Sequence, residues 1–140
     1  MPLVSAPVLI DGLHYLDGGI CDSVPFAYAR QSGLRKQVVV LSKPRGHRLE
    51  TDRLLALERM LYRAYPRFVE ACARRLELHN RQYAEVERLH DAGELFAIWP
   101  DRPVRISLME KDPDKLLSAW VQGYEQAMRQ WDALECYLGM

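Results

Sequence analysis

The chain has 140 residues, 49% apolar and 27% charged, and its 19 basic and 19 acidic residues balance to a formal net charge of zero. That is one domain's worth of chain with a globular composition, and the neutral balance argues against a nucleic-acid binder held by a phosphate-binding patch. No apolar run approaches membrane-spanning length, and residues 1–10 lack the basic start and long apolar stretch of an export signal, so a cytoplasmic location is expected.

In chain order, two short strands are expected at 8–10 and 14–16, joined by the turn Asp11-Gly12. A helix over 27–33 follows, with Asp22 or Ser23 as its N-cap, Pro25 tolerated in the first turn and Gly33 at a left-handed C-terminal position. Residues 38–41 are apolar without alternation, as in a parallel strand covered on both faces. A strand–helix–strand order of this kind favours a right-handed crossover.

Beyond Pro44 the pattern turns mainly helical. Leu54, Leu57, Leu61 and Ala64 recur at helical spacing, and Phe68, Val69, Cys72, Leu76, Tyr83, Val86 and Leu89 mark a longer helix ending near Gly93. A strand pair is expected at 95–99 and 104–108 around a Pro100-Asp101-Arg102-Pro103 turn, then a last helix over about 113–137. The expected boundary lies between 1–46, strand and helix alternating, and 47–140, a helical extension.

The most informative segment is Tyr15-Leu16-Asp17-Gly18-Gly19-Ile20-Cys21-Asp22-Ser23-Val24-Pro25. Glycines have no Cβ, so a substrate or another chain segment can approach Asp17 closely. Read alone, Asp17 is a residue that caps a turn through its side-chain oxygen. Gly18 and Gly19 are both room beside a reacting group and the material of a tight turn.

This segment resembles the second catalytic motif of the patatin-like phospholipases, nearest to their bacterial subgroup. Further matches follow in order: Pro7-Val8-Leu9-Ile10-Asp11-Gly12, Lys43-Pro44-Arg45-Gly46, Tyr65-Pro66, Arg81-Gln82-Tyr83, Gly93-Glu94-Leu95-Phe96-Ala97-Ile98-Trp99-Pro100 and Gly123-Tyr124. The resemblance implies an α/β fold: the C-terminal part of a three-layer domain in 1–46, plus the helical extension. It implies a serine-dependent lipid acyl hydrolase, with Asp17 as proton acceptor of a Ser–Asp dyad and Gly18 and Gly19 supporting it. The implied substrate is a lipid or other acyl ester, at or near a membrane surface. The Gly-x-Ser-x-Gly nucleophile is absent from these residues, so the implied partner is the N-terminal half of that domain. The chain alone is expected to be inactive, and no cofactor is expected. The alternative is a non-catalytic interaction or lipid-surface module.

Other candidates read more plainly. Ser23 lacks the elbow context of a nucleophile. His14, His47, His79 and His90 have no metal-ligand spacing and are expected on the surface. Cys21, Cys72 and Cys136 fit three reduced thiols. Arginines from Arg45 to Arg75, Arg53 among them, are interleaved with Glu50, Glu58, Glu70 and Glu77, as on a solvated face. Trp99, Trp120 and Trp131 suit either an interfacial surface or apolar packing.

Overall fold

The structure, a computed structural model, describes residues 6–52, 54–107 and 109–140. It is mixed α/β, about half helical, with two small sheets and a helical C-terminal part. Two compact units interleave along the chain: one comprises Met1–Pro25 with Arg48–Tyr83, the other Phe26–His47 with Ala84–Met140.

In the first unit, β1 (Val8–Ile10) and β2 (Leu13–Tyr15) form an antiparallel hairpin, with Val8 opposite Tyr15 and Ile10 opposite Leu13. Asp11 and Gly12 both have positive φ, 50° and 78°. Such a two-residue turn matches the right-handed twist of the strands it joins. Val8, Leu9, Ile10, Leu13 and Tyr15 are all exposed. Helix α2 (Leu55–Leu61) follows, and then α3 (Pro66–Asp91), whose residues up to Tyr83 belong to this unit. The buried residues here are Ile20, Val24, Glu58, Cys72 and Tyr83.

The expected core stripe of α2 is inverted. Leu54, Leu57 and Leu61 are exposed, whereas Glu58, on the same stripe, is wholly buried. The reason is a partner: Arg75 donates to both Glu58 oxygens, at 3.3 and 3.4 Å, and also to Asp52. A carboxylate can be buried when a guanidinium meets it. Arg53, also read as part of the charged face, lies outside the described residues.

The second unit holds α1 (Phe26–Gln31), β3 (Val38–Val40), the end of α3, β4 (Phe96–Ile98), α4 (Pro113–Arg129) and α5 (Trp131–Leu138). Gly33 and Gly93, with φ of 87° and 70°, end α1 and α3 in the left-handed conformation that spares glycine any Cβ clash. Strand β3 pairs in parallel with β4, Val38 opposite Phe96 and Val40 opposite Ile98. The expected hairpin of 95–99 with 104–108 does not form: residues 104–107 are in no strand, and Leu108 lies outside the described residues. Backbone bonds from Phe96 N to Gln37 O and from Leu41 N to Ile98 O, both 2.9 Å, extend the parallel pair instead.

Strand β3 has an uncovered apolar face, as expected of such a strand without the rest of its sheet. Val38 and Val40 are exposed, because β4 is the strand's one neighbour among the described residues. The β4 side is the covered one, with Leu95 through Trp99 all buried along with Val86 and Leu89. The last helix breaks at Gln130 into α4 and α5, with neither glycine nor proline at the break. Helix α5 is then held by its end: Tyr137 accepts the Gln37 amide at 3.0 Å, and Lys36 donates to the Leu138 carbonyl.

Candidate functional site

Asp17 stands two residues after β2 and is the N-cap of a single 3₁₀ turn over Gly18–Ile20. Its Oδ1 accepts the Gly19 amide at 2.9 Å. This bond to the charged form, above all, holds the carboxyl below its ordinary value. The group is exposed and ionised.

The two glycines differ. A Cβ on Gly19 would stand 3.2 Å from Asp17 Oδ1, so the missing side chain is what lets the carboxylate fold back onto the turn. A Cβ on Gly18 would meet nothing within 4 Å. Space is therefore open on the Gly18 side, and the turn is tight on the Gly19 side.

The residues that follow are anchored to α3. Gln82 accepts the Val24 amide at 3.3 Å through Oε1, while its Nε2 donates to Asp22 Oδ1 and, at 3.4 Å, to the Val24 carbonyl. Ser23 Oγ donates to the Gly19 carbonyl at 2.9 Å. Asp22 and Ser23 thus do not cap α1, which starts at Phe26. Both fasten the loop that carries Asp17. Ile20 and Val24 are buried beneath it. In the sequence Gln82 stands out only through its place in Arg81-Gln82-Tyr83. A lone amide facing a loop leaves no periodic signal.

Leu16, the residue before Asp17, is one wall of a cavity of about 310 Å³ lined also by Pro7, His14, Tyr62, Tyr65 and Phe68. Tyr62 and Phe68 meet edge to face, their centroids 4.8 Å apart. The lining is mainly aromatic and aliphatic, suited to an apolar group rather than a charge.

Elsewhere the structure settles what several candidates do. Cys72 is buried and its thiol is pushed up to about 11, first by desolvation and then by the Glu58 charge. Cys21 and Cys136 are exposed. His90, expected on the surface, is half-buried: its Nδ1 accepts the Ala97 amide at 3.1 Å and its ring meets Trp99 edge-on at 4.8 Å. Burial, and then the Arg45 cation, hold His90 below its ordinary pKa. His47 and His79 are half-buried as well, His79 stacked on Tyr83 at 4.3 Å, while His14 is exposed. Trp99 is buried, with Arg45 over its ring at 5.3 Å, whereas Trp120 and Trp131 are exposed. No group of three or more His, Cys, Asp or Glu side chains among the described residues is arranged to hold a metal ion. No helix among them is long and apolar enough to cross a membrane.

Residues 65–139 match a family described as a Domain of unknown function (DUF6363). The chain belongs to this family. The DUF6363 segment runs from the residue before α3 through α5, so it contains Gln82, Arg75 and His90, while Asp17 precedes it. Neither the curated proteins nor the solved structures give a match.

Proposed function

We propose that this chain is the aspartate-bearing part of a patatin-like serine acyl hydrolase acting on a lipid or other acyl ester. The observation that carries the reading is the state of Asp17: an exposed carboxylate, kept ionised by the Gly19 amide, with open space at Gly18. In a Ser–Asp dyad such a carboxylate takes the serine proton directly as the hydroxyl attacks the acyl carbonyl, with no histidine between them. The serine and the backbone amides that would hold the oxyanion belong, on this reading, to the N-terminal half of the domain. The aromatic cavity beside Leu16 would take the apolar part of the ester.

The same reading makes β3 one strand of a larger parallel sheet in a three-layer domain, which fits the exposure of Val38 and Val40. It also places the protein in the cytoplasm at a membrane surface, where its substrate would lie. The test is hydrolysis of a chromogenic short-chain ester by this chain with and without a polypeptide carrying the Gly-x-Ser-x-Gly elbow. Activity is expected only with both, and only while Asp17 is intact.

The second reading is a non-catalytic module that binds a partner or a lipid surface. Two observations favour it: the Asp17 carboxylate is already used as a turn cap, and α4 turns Leu117, Trp120 and Tyr124 to the outside, the two rings stacked at 5.4 Å. Vesicle binding that survives Asp17→Asn, with no ester turnover in any combination, is its signature.

A further inference from the structure

A recess in the second unit has no part in the chemistry of Asp17. It is an open groove of about 600 Å³ between the segment 102–106 and one face of α4. Its charged walls are Arg102, Arg105 and Lys115 against the single carboxylate of Asp114, and its apolar walls include Val104 and Ile106. Neither Arg102 nor Arg105 makes an ion pair or a side-chain hydrogen bond among the described residues, unlike Arg30, Arg45, Arg74, Arg75, Arg88 and Arg129.

The groove is built rather than incidental. Gln122 Nε2 donates to the Arg102 carbonyl at 3.0 Å, and Arg129 meets Asp101 at 2.8 Å, so the arginine-bearing segment is tied to α4 at two points. The positive character does not come from the start of α4, because Asp112 already caps it, accepting the amides of Asp114 and Lys115 at 3.0 and 3.4 Å. Lys115 is partly engaged, with Glu110 and Asp112 at 3.6 and 3.9 Å. The two uncommitted cations are therefore guanidiniums, which recognise planar or tetrahedral oxyanions through paired N–H groups. They stand beside aliphatic side chains that could cover a short hydrocarbon.

We propose that this groove is a binding site for an amphipathic organic anion, a phosphate or carboxylate joined to an apolar body. The site lies within the family segment and is independent of the role assigned to Asp17. Such an anion is available either free in solution or as the headgroup end of an anionic lipid, and the two sources share the chemistry that Arg102 and Arg105 would read.

The experiment is calorimetric titration of the whole chain with octyl phosphate and with inorganic phosphate, at low and at moderate salt. It is paired with co-sedimentation on phosphatidylglycerol and on phosphatidylcholine vesicles. Octyl phosphate should bind at least about ten-fold tighter than inorganic phosphate, the equivalent of burying roughly two methylenes. R102Q/R105Q should weaken octyl phosphate at least about ten-fold, whereas R74Q, which removes an exposed cation elsewhere, should leave it unchanged. Sedimentation with phosphatidylglycerol alone, lost in R102Q/R105Q, identifies the lipid headgroup as the source. Binding of octyl phosphate without sedimentation identifies a free anion. Failure of octyl phosphate to bind, binding equal to that of inorganic phosphate, or full binding by R102Q/R105Q would overturn the proposal.

Discussion

Asp17 Oδ1 accepts the amide of Gly19 at 2.9 Å, and the same oxygen would lie 3.2 Å from a Cβ on that residue. That bond is the largest cause of the carboxyl's acidity, and the same contact explains the glycine two residues on. Gly19→Ala should push the carboxylate off the turn and raise the Asp17 pKa toward its ordinary value. Gly18→Ala should leave it in place, since a Cβ there meets nothing. Carboxyl titration by carbon-detected NMR in the two variants distinguishes them. Equal Asp17 titration in both would mean that the turn is not what sets the acidity.

Arg75 stands between Asp52 and the wholly buried Glu58. Burial works against the guanidinium charge, but the Asp52 hydrogen bond and the two carboxylate charges more than offset it, so its pKa is raised. Arg75→Met should cost about 3 kcal/mol, because Glu58 is then left in the core without a counter-charge. The double variant Arg75→Met, Glu58→Leu should recover most of that loss. Urea unfolding of the single and double variants measures both, and an Arg75→Met chain as stable as the parent would refute the cluster's role.

Burial first, and then the Glu58 charge of the same cluster, raises the Cys72 thiol. A thiol at about 11, buried, is protonated and shielded at pH 8, whereas Cys21 and Cys136 are exposed. A chromogenic disulfide reagent should therefore label two thiols quickly in the native chain and the third only on unfolding.

His90 gives the fold a defined response to pH. Its folded pKa is depressed below 6.5, by burial first and by the Arg45 cation next. The unfolded chain then binds the proton more readily than the folded one, so stability rises with pH through this range. The contribution is complete above about 6.5 and is lost as pH falls from there toward the folded pKa. His90→Asn keeps an acceptor for the Ala97 amide but does not titrate. The slope of stability between pH 5 and pH 7 should be smaller in that variant than in the parent. An unchanged slope would assign the effect to other groups.

Much of the local structure was legible because it is written in neighbouring residues. The Asp11-Gly12 turn, the helix ends at Gly33 and Gly93, the length of α3 and the position of Asp17 outside any α-helix all follow from backbone preferences acting over a few residues. Pairing was not legible. Val104 and Ile106 alternate like a strand opposite 95–99, yet β4 pairs with β3, nearly sixty residues earlier in the chain. Local alternation carries no information about which distant edge is available. Glu58 fails for a related reason. Its charge reads as solvent-facing until Arg75, on a different helix, is brought to it.

At the candidate site the turn capped by Asp17 was readable from residue type and spacing. Gln82, which ties down Asp22 and Val24, and the cavity-lining Tyr62 and Phe68 become visible only once α3 is placed. The break at Gln130 leaves no mark in the sequence, since it is neither glycine nor proline and serves at once as the end of α4 and the start of α5.

The most direct test of the central claim is the rate of chromogenic ester hydrolysis by this chain joined to a segment bearing the serine elbow and glycine-rich loop, compared between the parent and Asp17→Asn. No turnover is expected from the chain alone, measurable turnover from the joined protein, and a fall in kcat of at least about 100-fold on Asp17→Asn, the range for loss of a positioned general base. Turnover by the joined protein that Asp17→Asn leaves intact would contradict that claim.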